Sequence, residues 1–144
     1  MACIFCDNEE IRDRIIIENE YAFVFPTNIP IVPGHVLICS KRCVSTFDNL
    51  SMDDWGGIYE IIKIIKPALK KAFSATGFNY ALNEGEIAGQ NVAHIHFHLL
   101  PRKDGDTGVT EYDPRKFLYR PGSRKESPKE ELIDIAKTIK SFIE

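Results

Sequence analysis

Apolar residues gather in five short runs, Ile15–Ile17, Tyr21–Phe25, Val36–Cys39, Phe78–Leu82 and Ile95–Leu100, rich in β-branched and aromatic types and bounded by Pro, Gly or Asn. Runs of that length and composition predict strands. Between the third and fourth, Ile58, Ile61, Ile62, Ile65, Leu69 and Phe73 recur at helical spacing, and Ser51 with Asp54 three residues on resembles a capping box. The spacing predicts a long amphipathic helix closing near Gly77. Pro67 is expected to kink or divide it, because its ring removes a backbone donor, and Gly56 and Gly57 to weaken its first turns. A second helix is expected over about residues 128–143, capped by Ser127 and Glu130, with Pro128 at its first position and Leu132, Ile135, Ala136, Ile139 and Phe142 on its apolar face. The Gly-, Pro- and charge-rich stretch from Lys103 to Lys125 reads as loop. Strands, helix, two strands and helix in that order predict an α+β domain with a mainly antiparallel sheet.

Composition narrows the class. A length of 144 residues suits one domain, 1–144, and hydrophobic and charged fractions of 44% and 27% set the chain apart from disordered sequences. A net charge of −3 supplies no broad basic field, so a nucleic-acid polymer is not the expected partner. The opening MACIFCDNEE has acids and cysteines where a signal peptide has a basic segment and an apolar run, and the longest apolar stretches are interrupted by charges, so no membrane partner is expected. These features predict a cytoplasmic protein whose four cysteines are thiols or metal ligands.

The candidate chemistry lies in His94-Ile95-His96-Phe97-His98. Alternation on a strand projects the three imidazoles from one face and sends Ile95, Phe97 and Leu99 to the other. Three readings fit the residues: a half-exposed strand whose polar positions happen to be imidazole, a His-x-His metal site, or nucleophilic attack on phosphorus by a neutral imidazole with a second ring as proton donor. The preceding loop, Asn83 to Asn91, carries Gly85, Gly89 and several amides, which suits close backbone approach to a polar ligand.

Together these residues resemble the histidine triad family, whose signature His-x-His-x-His followed by two apolar residues reads here His94-Ile95-His96-Phe97-His98-Leu99-Leu100. The likeness extends to Ile31-Val32-Pro33-Gly34-His35-Val36-Leu37-Ile38, to Asn83-Glu84-Gly85 and Gly89-Gln90, and to Leu100-Pro101-Arg102, and covers roughly the first hundred residues. It implies an α+β subunit with a five-stranded antiparallel sheet, paired as a homodimer, that binds nucleotides. It also implies that His96 is the nucleophile, forming a nucleotidyl-histidine intermediate without a catalytic metal, and that His98 donates a hydrogen bond to the phosphate or leaving group. Gln90 and Asn91 would hold phosphate or leaving-group oxygens, Asn83 and Gly89 belong to the ligand loop, and the carbonyl of His94 would fix the tautomer of His96. Where many members carry Asp or Asn for the ribose hydroxyls, this chain has Thr27 with Asn28 beside it. The Thr hydroxyl is one short donor and acceptor, so either sugar binding is altered or Asn28 substitutes.

Cys3-Ile4-Phe5-Cys6 has the gap that lets two sulfurs reach one tetrahedral zinc, which is half a site. Some proteins of the resembled family pair such a motif with a ligand just after the Lys-Arg that follows the Pro-Gly-His strand, and with the first triad histidine. In this chain those positions are Cys43 and His94, giving a structural zinc site of Cys3, Cys6, Cys43 and His94. Free thiols or a Cys3–Cys6 redox pair are the alternatives, and Cys39 reads as a buried small hydrophobe. His35 reads equally as a core hydrogen-bonding group and as a support near the phosphates. Arg102 reads as a phosphate contact or a solvated strand end, and Trp55 as packing. The expected activity is hydrolysis or nucleotidyl transfer at the α-phosphorus of nucleoside phosphoramidates or dinucleoside polyphosphates. A nucleotide-binding signalling or scaffold module and a metal-dependent phosphoesterase are the competing classes.

Overall fold

A computed structural model describes residues 3–106 and 126–143. Two single-turn helices, α1 (Ile4–Asp7) and α2 (Glu9–Arg12), precede strands β1 (Ile17–Glu18), β2 (Ala22–Pro26) and β3 (Val36–Ser40). The long helix α3 (Met52–Phe73) leads to β4 (Gly77–Leu82) and β5 (His96–Arg102), and α4 (Lys129–Ser141) follows. The strands form one sheet in the order β1-β2-β3-β5-β4, each neighbouring pair antiparallel, as the element order predicts. No helix among the described residues is long and apolar enough to cross a membrane.

Register assigns each face its task. Phe23 pairs with Cys39 and Cys39 with His96, while Phe25 pairs with Leu37 and Leu37 with His98. Because side chains alternate across a strand, these two rows share one face. That face is covered by Phe5 of α1 and Ile11 of α2. The opposite face, through Val24, Val36, Ile38 and Leu99, packs on Ile58, Ile61, Ile65 and Leu69 of α3 and on Ala136 and Ile139 of α4. The larger core therefore holds the strands rigid from one side, and the histidine face is left to line a cavity.

The long helix begins where Ser51 and Asp54 bond reciprocally: Asp54 N–H donates to Ser51 Oγ at 3.0 Å and Ser51 N–H to Asp54 Oδ2 at 2.9 Å. Buried Asp54 also accepts from Arg42 Nε at 3.0 Å, which ties the exit of β3 to the start of α3. Gly57 is a point of close approach, since a Cβ there would stand 2.6 Å from Tyr21 Cβ, and its carbonyl accepts from Asn19 Nδ2.

Several expectations need correction. Helix α3 is not divided at Pro67: Ile61, Ile65, Ala68 and Leu69 are buried on both sides of the ring and hold it in one piece. It stops at Phe73, where Ser74 turns left-handed (φ 56), so Gly77 opens β4 instead of closing the helix. The cap expected at Ser127 is absent, because Pro128 is the N-cap residue without a side-chain bond and Ser127 N–H donates to the carbonyl of Asn28 at 2.6 Å. Strand β5 starts at His96, and β1 is shifted to Ile17–Glu18. Helices α1 and α2 are too short for periodicity to reveal; Asn8, whose Oδ1 accepts from Glu10 N and Ile11 N, caps the second. Most of the stretch read as loop, 107–125, lies outside the described residues.

The Arg42 guanidinium beside it, together with the Ser51 bonds, holds the Asp54 carboxyl below the usual range. Asp54→Asn should cost about 2 kcal/mol at pH 7 through the lost charge-assisted bonds and helix cap. A depressed carboxyl stabilises the fold above the unfolded value of about 4 and ceases to do so as pH falls through its folded value. Urea titrations of wild type and variant should therefore converge as the pH is lowered below about 4; a gap that widens on acidification contradicts the assignment.

Candidate active site

The histidine face opens into a cavity of about 510 Å³ bounded by the sheet, α2, the loop before β5 and the start of α4. His96, His98, Thr27, Asn28, Asn83, Gly89 and Asn91 all line it, so the structure gathers into one place most of the polar residues that the sequence nominates from three separate segments. Phe5, Phe25 and Leu37 supply its apolar wall.

Backbone carbonyls decide which nitrogen of each imidazole carries the proton. Buried His96 points Nδ1 at the carbonyl of His94, 2.9 Å away; a carbonyl only accepts, so Nδ1–H donates and Nε2 keeps its lone pair. Nε2 has no hydrogen-bond partner among the described residues. Burial lowers the His96 pKa, so the ring is neutral at pH 7. His98 lies beside it with ring centres 5.0 Å apart, as i, i+2 positions of a strand require. Behind His98 stands His35, whose Nε2 is 3.0 Å from His98 Nδ1. Ile31 N–H donates to His35 Nδ1 at 3.1 Å, which leaves the His35 proton on Nε2, donating to His98 Nδ1. His98 accordingly carries its own proton on Nε2. His35 is thus buried and hydrogen-bonded, as its core reading expects, and it sets the tautomer of a cavity residue.

The fully buried ring of His94 faces away from the cavity. Its Nε2–H donates to the carbonyl of Ser40 at 2.7 Å, which leaves Nδ1 as a lone-pair donor 3.3 Å from Cys3 Sγ and 3.5 Å from Cys6 Sγ. Cys43 joins them, and the four donor atoms lie within 4.8 Å of one another. Zinc bonds to sulfur and imidazole nitrogen give tetrahedral S···N edges of about 3.6 Å. The donor set therefore fits a four-coordinate zinc ion, and a metal-binding histidine that donates its other N–H to a carbonyl is the usual arrangement. Burial and the neighbouring Cys3 push the Cys6 thiol up to about 12, and burial likewise raises Cys43, so the crowded sulfurs resist carrying several negative charges at once. A dication relieves that repulsion. Cys39, fully buried against the Phe5 cluster, stands apart from this group as a hydrophobe.

Gln90, Arg102 and Trp55 fall outside the cavity, and Asn28 and Thr27 within it bond to groups of the chain itself. Gln90 does not line the cavity: its Oε1 accepts from Gly85 N–H at 2.7 Å and its Nε2 donates to the Ser45 carbonyl at 3.0 Å, so the amide braces the loop. Asn28 donates from Nδ2 to Glu126 at 3.1 Å, and Thr27 Oγ1 accepts a long bond from Ile29 N–H at 3.4 Å. Arg102 pairs with Asp106 and donates to Asn79, closing a strand end. Trp55 packs on Phe47 and Phe97. Phe5, Ile11, Arg14 and Leu37 escape the sequence reading as cavity residues. The alternation that places Leu37 and Phe25 beside the histidines was available; nothing in the sequence points Phe5 or Arg14 there.

Comparison with known proteins follows the same lines. The family model described as HIT domain matches residues 8–105. An uncharacterised HIT-like protein of Methanocaldococcus jannaschii is 35% identical over 112 residues, covering 76% of this chain and 86% of that protein. The bis(5'-adenosyl)-triphosphatase of Dictyostelium discoideum is 30% identical over 121 residues, covering 83% of this chain and 81% of that one. Among solved structures, a Zn-bound histidine triad family protein from Mycobacterium smegmatis superposes with a TM-score of 0.70 at 25% identity, covering 98% of this chain and 94% of that one.

Long-range proton–nitrogen spectra at neutral pH should show His96 protonated at Nδ1 and His35 at Nε2. The reverse tautomer at His96 would turn its lone pair toward a carbonyl and contradict the hydrogen bonding described.

Proposed function

The chain belongs to the HIT family, and on that footing we propose that it hydrolyses or transfers at the α-phosphorus of nucleoside phosphoramidates or dinucleoside polyphosphates through a nucleotidyl intermediate on His96. The observation that carries the reading is a buried, neutral His96 whose Nδ1–H is taken by the His94 carbonyl, so that Nε2 presents its lone pair without competition. In the first step an Nε2–P bond forms as the bond to the leaving group breaks; the leaving group departs with the electron pair, a phosphate as its anion and an amine after taking a proton from solvent. His98 Nε2–H donates a hydrogen bond to the phosphate or leaving-group oxygen, its orientation set by His35. Asn83, Asn91 and the backbone at Gly89 supply further donors to the developing charge, and Thr27 meets the sugar. Gln90 serves by holding the Gly85–Gly89 loop in shape. Water then cleaves the P–N bond, its proton and hydroxide dividing between solvent and the released nucleotide; another nucleophile in its place gives transfer.

Cys3, Cys6, Cys43 and His94 would hold a structural zinc ion, which would supply the charge that lets the sulfurs ionise together and would tie the N-terminal segment to the entry of β5. A cytoplasmic setting keeps these sulfurs reduced. A second copy of the chain pairs on the β4 side, where the edge strand of the sheet carries the exposed Tyr80.

Replacing His96 with Ala should reduce turnover of a phosphoramidate and dinucleoside polyphosphate panel at least about a thousandfold, while circular dichroism stays unchanged. Equal rates would remove His96 from the mechanism. Metal analysis should find about one zinc per subunit, falling on Cys6→Ser with a lowered melting temperature; metal-free protein with titratable thiols speaks against the site. Sedimentation should report a dimer, and a monomer across the working concentration range contradicts the pairing.

A further inference from the structure

Arg14 is a cavity residue that this reading leaves without a task. It follows α2, lines the cavity that holds His96, and is only 5% exposed. Its Nε–H donates to the carbonyl of Pro26 at 2.9 Å, and its guanidinium carbon lies 5.5 Å from the centre of the Phe25 ring. Neither Nη group has a hydrogen-bond or ion-pair partner among the described residues. Burial lowers the Arg14 pKa, and the carboxylates of Glu10 and Glu126, on the same cavity, raise it through space without closing an ion pair. A guanidinium stays charged under all ordinary conditions, and buried donors without acceptors are costly. The arrangement is incomplete until a ligand supplies acceptors.

Geometry says which part of a ligand that is. The His96 ring lies 5.0 Å from Phe5, Phe5 lies 5.5 Å from Phe25, and Phe25 lies 5.5 Å from the guanidinium, so aromatic rings in successive contact connect His96 to the cation. Thr27, the residue placed at the sugar, directly follows Pro26, whose carbonyl holds Arg14. A nucleotide with its phosphorus at His96 and its sugar at Thr27 extends its base along this wall toward Arg14.

We propose that Arg14 reads the base edge and selects guanine. A planar fork of parallel N–H donors is matched by the adjacent O6 and N7 acceptors of guanine. Adenine sets a donor beside its N7, the two carbonyls of uracil are separated by an N–H, and the adjacent acceptors of cytosine, O2 and N3, belong to a single ring that reaches less far along the wall than a purine. Glu10 and Glu126, which line the same cavity, offer carboxylate acceptors to the N–H groups of such a base. The inference rests on the nucleotide reading of this cavity.

Calorimetric titration of the full chain with guanosine, inosine, adenosine and 7-deazaguanosine 5'-monophosphates separates the two. Guanosine and inosine monophosphates, which share O6 and N7, should bind about tenfold or more tighter than adenosine monophosphate, and the 7-deaza compound should lose most of that advantage. Arg14→Lys, which keeps the charge without the fork, and Arg14→Gln should level guanine and adenine. Adenosine monophosphate binding as tightly as guanosine monophosphate to the wild type, or an undiminished 7-deaza compound, overturns the proposal and leaves the nucleotide reading standing. Failure of every mononucleotide to bind removes both. The ligand series needs no variant, so a substitution that harms folding does not blunt the test.

Discussion

One hydrogen bond orders this site: the donation from His96 Nδ1–H to the carbonyl of His94. An imidazole turned over at that position would present an N–H to the cavity and have no lone pair to give. The carbonyl is itself held still, because the His94 ring is buried, donates to Ser40 on the neighbouring strand and aims its other nitrogen at Cys3 and Cys6. The contacts of the His94 ring with Ser40 and the sulfurs thus bear, through one residue's backbone, on the orientation of the His96 ring.

The same cluster shapes the cavity. Cys3 and Cys6 bracket Phe5, whose ring stands 5.0 Å from His96 and 5.5 Å from Phe25. The N-terminal segment, which has little secondary structure to hold it, thereby becomes a wall of the cavity. On the far side His35 plays for His98 the part that the His94 carbonyl plays for His96, fixing one nitrogen so that the other is defined. The sheet register makes both arrangements compatible, since the rows Phe23–Cys39–His96 and Phe25–Leu37–His98 set aromatic and imidazole side chains on one face.

Much of this was legible before any coordinates. Short apolar runs bounded by turn residues located all five strands to within a few residues, and the Ser51–Asp54 cap with its isoleucine spacing located α3. The triad stood out because three imidazoles on a hydrophobic strand are hard to explain as core. The polar loop residues could be nominated from their types. What the sequence concealed depends on tertiary neighbours: of two adjacent amides Gln90 braces the loop while Asn91 lines the cavity, and the packing on both sides of Pro67 overrides the break that its ring suggests locally. Arg14 and Phe5 reach the cavity through two single-turn helices that have no periodic signature, and Ser127 gives its N–H to Asn28 where local rules predict a cap.

The central claim is that His96 takes the phosphorus onto its own nitrogen before water does. Stereochemistry at phosphorus tests this most directly. A substrate with a chiral α-phosphorothioate, hydrolysed in water labelled with heavy oxygen, should yield a nucleotide with net retention of configuration, because two in-line displacements each invert the centre. Net inversion would show water attacking the substrate directly and would contradict the account.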